Sequence, residues 1–133
     1  MAGNLVSYYG GLRLGDLDLP TRLRVESGTE VAYAVSTMAA AKQSGAVVTS
    51  GESVIGIFTE RDVTTKVASA PDRWQRPVDE FMTAEPHVVS PDETAVDALH
   101  TLNRHVIRNL PVVGESGFIA TVTSYDLIRV ASK

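Results

Sequence analysis

The chain tells one structural story twice. Adding 64 to the positions of Val25, Ala34, Val48, Ile55, Thr59 and Asp62 gives Val89, Ala98, Val112, Ile119, Thr123 and Asp126. Such internal self-similarity requires residues 25–64 and 89–128 to adopt the same local structure. The apolar period supports this independently. Val31, Ala34, Val35 and Met38 fall at i, i+3, i+4 and i+7 of one helical face, and Ala95, Ala98, Leu99 and Leu102 repeat that spacing.

Each copy reads β-α-β-β-α. In the first, Leu23-Arg24-Val25 is extended, Ser27-Gly28-Thr29-Glu30 resembles a capping box, and a helix follows over residues 29–43. Two short β-rich runs, 46–49 and 54–58, flank the turn Ser50-Gly51-Glu52-Ser53, and a second helix runs from Thr59 to Ala68. Ser69 to Asp72, with Pro77, breaks that helix and supplies a linker. In the second copy Val88-Val89 is extended and Ser90-Pro91-Asp92-Glu93 starts a helix. Residues 110–113 and 118–122 flank the turn 114–117, and Tyr125 to Ala131 closes as a helix. The division drawn from sequence is an N-terminal segment 1–22, a first repeat 23–75 and a second repeat 76–133.

Composition narrows the functions. A repeat of about 60 residues buries too little surface to be comfortable alone, so the two halves are expected to share one pseudo-symmetric body. A formal charge of −4 opposes an extended grip on nucleic acid. With no cysteine there is no disulfide, thiolate cage or cysteine nucleophile. Residues 1–22, with Tyr8, Tyr9 and Gly10-Gly11, lack a signal peptide's basic and apolar regions, and no run approaches the ~20 apolar residues that span a bilayer. A cytoplasmic, membrane-free protein is expected. His100 and His105 lie five apart rather than four, and His87 is in a loop, so no metal site is expected. Neither a Gly-x-Ser-x-Gly setting nor a Walker loop is present, and no enzyme is expected.

Each copy ends in an apolar strand running into Thr-x-x-Asp, Thr59 to Asp62 and Thr123 to Asp126. Two uses fit this pattern. Thr and Asp can satisfy the first backbone donors of the following helix as a capping box. Alternatively, the carboxylate's two oxygens can accept two vicinal hydroxyls, and the helix start can help hold a phosphate. Arg61 and Arg108 are candidate phosphate partners, although from the residues alone the commoner uses are a solvated surface arginine for Arg108 and pairing to Glu60 or a neighbour for Arg61.

Gly56 to Asp62, Asp79-Glu80-Phe81-Met82-Thr83, Val89 to Thr94 and Ile107 to Val113 together resemble the signatures of CBS domains, named after cystathionine β-synthase, in that family's order. The resemblance implies an α/β (α+β) fold of tandem CBS repeats packed as a pseudo-twofold pair, the Bateman module. It implies a regulatory module that binds AMP, ADP, ATP, S-adenosylmethionine or NAD in clefts between repeats. In similar modules the Asp accepts the ribose hydroxyls, the Thr joins it, and extended backbone before the first helix recognises adenine. These map to Thr59, Asp62, Thr123, Asp126, Val25 and Val89. A homodimer and a separate effector protein are also implied. The sequence departs from the family at Ala120, where a glycine is usual, and at Ser44 to Val47, where Leu-Pro is missing. Gly56 is expected to give the first copy clearance for a ligand. A ligand-free dimerisation module is the alternative.

Overall fold

The computed structural model describes residues 11–19 and 23–131. Tyr8, Tyr9 and Gly10 lie outside the described residues. The chain forms two compact units. One is residues 23–86, and the other joins the segment before residue 23 to residues 87–133.

In the unit 23–86, β1 (Arg24–Glu26) leads to α1 (Val31–Ala41), then β2 (Gly45–Ser50) and β3 (Ser53–Thr59). A short helix α2 (Glu60–Asp62) widens into a π turn over Val63–Val67. Two 3-10 turns, Pro71–Gln75 and Val78–Glu80, precede β4 (Thr83–Ala84). The sheet order is β1-β2-β3-β4, with β1 parallel to β2 and the other pairs antiparallel. Val25, Val31, Ala34, Met38, Val48, Phe58, Val67 and Val78 form its core.

The other unit contains α3 (Ala95–His105), the antiparallel hairpin β5 (Leu110–Gly114) and β6 (Gly117–Val122), and α4 (Ser124–Ala131). Val89 bridges Val112 in parallel, as Val25 pairs with Val48. Each hairpin carries a register irregularity at equivalent positions, Val48/Thr49 and Val112/Val113. The helical stripes are those expected: Val31, Ala34 and Met38 are buried on α1, and Ala95, Ala98 and Leu102 on α3. Both helices end in a left-handed residue, Lys42 and Val106, with the following N–H reaching back to Met38 and Leu102 respectively, which is the Schellman arrangement.

Two helix starts differ from expectation. Glu30 caps α1 without a side-chain bond, because Ser27 Oγ donates to Asp79 Oδ2 at 2.5 Å and Thr29 Oγ1 donates to the Glu26 carbonyl at 2.6 Å. The second copy's helix begins four residues beyond Ser90-Pro91, where Thr94 and Asp97 form a reciprocal capping box. Ser90 to Glu93 instead forms a turn, with Glu93 Oε2 accepting the Ser90 N–H at 2.9 Å.

Packing divides the chain differently from the repeat boundaries at 22/23 and 75/76. Residues 76–86 complete the first copy's unit: Val31 N–H donates to Arg76 O, Glu30 bridges Pro77, and Val78 N–H donates to Thr29 O. Residues 12–14 complete the second in the same way. Ala95 N–H donates to Leu12 O, Thr94 bridges Arg13, and Leu14 N–H donates to Glu93 O. Every one of these residues is 64 from its counterpart, as are the turns Leu14–Asp16 and Val78–Glu80. The repeat thus extends upstream of each copy, with the two leading segments exchanged. Leu14 and Leu19 sit in the second copy's core.

Candidate functional site

Each Thr-x-x-Asp stands at a strand-to-helix junction, and both carboxylates are buried, with Asp62 6% and Asp126 3% exposed. Asp62 Oδ2 accepts the Thr59 N–H at 2.9 Å and the Thr59 hydroxyl at 3.2 Å, while Thr59 Oγ1 accepts the Asp62 N–H at 3.4 Å. Asp126 repeats this with Thr123 at 2.9, 3.0 and 3.1 Å. The capping role is therefore real in both copies, and it consumes one oxygen of each carboxylate. Oδ2 has accepted two hydrogens, which matches its lone-pair capacity. Recognition of anything else falls mainly to Oδ1.

Oδ1 faces a cation in each case. Lys66 Nζ lies 2.9 Å from Asp62 Oδ1 and also donates to the Phe81 carbonyl at 2.8 Å. Arg129 Nη2 lies 3.5 Å from Asp126 Oδ1 and donates to the Asp18 carbonyl at 3.4 Å. Sequence reasoning passed over both cations, although a basic residue one turn after a motif Asp is a visible signal.

The other expected site residues are placed less centrally. Arg61 is exposed on the first turn of α2, and Arg108 is exposed in the connection between α3 and β5. Val25 and Val89 are core residues. The Val89 N–H donates to Pro111 O at 3.0 Å and its carbonyl accepts from Val113 N–H at 2.8 Å, so its main chain is committed to β5. On β1 the bonds Val47 N–H to Leu23 O and Ser27 N–H to Thr49 O point the odd-numbered residues at β2. By the alternation of a strand, the open edge is presented by the main chain of Arg24 and the N–H of Glu26, whose carbonyl already accepts from Thr29, rather than by Val25.

Gly56 serves the chain itself. A Cβ there would collide with Met82 Sδ and Cγ, and Gly56 is paired with Ala84 of β4. The expected clearance is filled by Met82. The equivalent Ala120 is buried. The glycine is explained by β4.

Asp79, part of the sequence signature, is structural. Its Oδ1 accepts the Gly28 N–H at 2.7 Å and its Oδ2 the Ser27 hydroxyl. Burial pushes this carboxyl upward, but the bonds from Ser27, Gly28 and its own N–H outweigh it and hold it below the usual carboxylate range. His87 and His105 stack with ring centroids 3.6 Å apart. Among the described residues no group of three or more His, Asp and Glu side chains is arranged to hold a metal ion. No helix among them is long and apolar enough to cross a membrane.

The model of the CBS domain matches this chain twice, over residues 16–69 and 78–133. CBS domain-containing protein CBSCBSPB3 of Arabidopsis thaliana is 34% identical over 125 residues, which is 88% of this chain and 22% of that protein. The chain spans only 21% to 39% of the first curated relatives' lengths. Among solved structures, a CBS-domain-containing protein of Agrobacterium tumefaciens superposes with a TM-score of 0.72 at 25% identity, covering 96% of this chain and 94% of the other. CBSX2 in complex with AMP superposes with a TM-score of 0.77 at 25% identity, covering 92% and 97%. With both matches falling on the two copies of the repeat, the chain belongs to the CBS domain family and carries two copies of the domain.

Proposed function

We propose that this CBS pair is a regulatory module that binds an adenosine-containing ligand and acts on a separate partner protein. The observation that carries the reading is the duplicated junction. Twice, a strand delivers a buried Asp whose Oδ2 is fixed by its own Thr, leaving Oδ1 to meet a hydroxyl. A rigidly held carboxylate is a strong acceptor for a ribose diol. The AMP carried by the CBSX2 structure supports the adenosine class, with ADP, ATP, S-adenosylmethionine and NAD as the other members to compare. Asp62 and Asp126 take ribose hydroxyls in this reading, Thr59 and Thr123 hold them, and the open edge of β1 at Arg24 and Glu26 meets the adenine. Arg61 and Arg108 are the phosphate partners.

The test is thermal stability against each compound. A ligand at 100 times its Kd stabilises by about 2.7 kcal/mol. Asp62→Asn keeps an acceptor for the Thr59 N–H but replaces one oxygen by an amide, so it is expected to reduce the shift without unfolding the protein. A ligand-free dimerisation module is favoured by one observation: both carboxylates are already engaged internally, while Tyr125 and Ile128 stand exposed on α4. That reading wins if no compound shifts the transition and light scattering shows a dimer.

A further inference from the structure

We infer that Lys66 and Arg129 are latches that close the two carboxylate sites in the empty protein and are displaced by the ligand's diol. The inference rests on the nucleotide reading above and names how that site is regulated. Its basis is that the same device occurs twice from different sequence. In the first copy the cation is four residues after the Asp, and in the second it is three after. The position equivalent to Arg129 is Thr65, and that equivalent to Lys66 is Val130. Both spacings lie on one helix face, and the first copy's turn is also widened. The Ala68 N–H bonds to Val63 O at 2.8 Å, a π turn that holds one residue more than an α turn. Thr64 and Thr65 donate their hydroxyls to the carbonyls of Glu60 and Arg61, which weakens the regular ladder there. Both copies place one cation on Oδ1 despite the different spacing.

The second bond of each cation gives the latch an output. Lys66 ties Asp62 to the carbonyl of Phe81, and Arg129 ties Asp126 to that of Asp18. Both carbonyls belong to the exchanged leading segments, outside the copy that supplies the Asp. Because Oδ2 already accepts two hydrogens, both hydroxyls of a diol must share Oδ1 and so compete there with the cation. Occupancy of the site and the grip on the leading segment are thus opposed. The pairs differ in length as well, with Lys66 at 2.9 Å and Arg129 at 3.5 Å.

Neutral adenosine tests this, because it carries the diol without phosphate charge. In an Asp126→Asn background, which leaves the first site alone, Lys66→Met is expected to bind adenosine about two- to fivefold tighter than its parent, the range set by a partly exposed ion pair. Lys66→Arg restores parental affinity, and 2′,3′-dideoxyadenosine gains nothing from Lys66→Met. Amide exchange at residues 81–84 should quicken in Lys66→Met without ligand, and in the parent when adenosine is added. Binding by Lys66→Met but not by the parent supports a fully closed latch. Equal or weaker adenosine binding by Lys66→Met, with the parent binding normally, overturns the latch and leaves the nucleotide reading intact. No adenosine binding by either folded protein overturns both.

Discussion

Val106 closes α3 at φ 51° with 90% of its surface exposed. A β-branched residue has no easy place in the left-handed region, and here no burial compensates it. Val106→Gly should therefore stabilise the protein by about 1 kcal/mol, measured by urea denaturation, the relief of strain exceeding the added freedom of the unfolded chain. Lys42 sits equivalently at φ 56° without the branch, so Lys42→Gly should gain less. Two titrating groups also act at this scale. Asp79 is depressed below 3.8, so its stabilisation is present above that value and is lost as pH falls through the folded pKa. His105 is depressed below 6.5 by desolvation, then by the charges of His87 and Arg104. The unfolded chain takes up that proton first, so stability begins to fall as pH drops through 6.5. Acidification is expected to weaken the fold in two separate windows. His105→Gln should remove the upper window and Asp79→Asn the lower, each followed by denaturation across pH, with Asp79→Asn costing about 1–3 kcal/mol at neutral pH.

Among the elements, what was legible in the sequence followed from period and what was not followed from distant partners. The α1 and α3 stripes repeat because burial on one face leaves a mark every third or fourth residue. The expected box at Ser27 to Glu30 failed for a reason no local window contains, since Ser27 is claimed by Asp79, 52 residues away. The π turn was equally hidden, because Thr64 and Thr65 read as ordinary helix surface until their hydroxyls are seen on the preceding carbonyls. The Thr-x-x-Asp junctions were fully visible, and of the two uses read there the cap is the one the structure shows, committing one oxygen of each carboxylate. Gly56 teaches the opposite lesson. It was read as clearance for a ligand, yet β4 brings Met82 over it. Gly56→Ala should destabilise by about 1–3 kcal/mol through overpacking. In a double-mutant cycle, Met82→Ala should recover much of that cost, since the two residues share one space. Additive effects would show that β4 is not held there by the Gly56–Met82 fit.

For the whole molecule, the repeat is longer than its identities. Residues 12–14 and 76–78 share no side chain at equivalent positions, Leu12 against Arg76, Arg13 against Pro77 and Leu14 against Val78, so comparison of letters stops short of them. Their main chains nonetheless make the same bonds at the same offset, because a backbone segment can complete a unit using N–H and C=O groups alone. Only apolarity at one position survives as a requirement, and Leu14 and Val78 both meet it, each fully buried. Leu14 and Leu19 are consequently core rather than appendage, and the chain passes from one compact unit to the other and back. Leu14→Ala removes a side chain that is 1% exposed and is expected to cost about 2–5 kcal/mol in urea denaturation. Val78→Ala, deleting a smaller buried side chain in the matching position of the other unit, should cost less. The diagnostic is where protection is lost: with Leu14→Ala, amide exchange should rise first at residues 89–95, whose backbone the leading segment holds, while residues 24–31 retain theirs. Equal loss in both regions would mean that the units unfold as one, and the exchanged segments would then be a cooperative clasp rather than two independent completions.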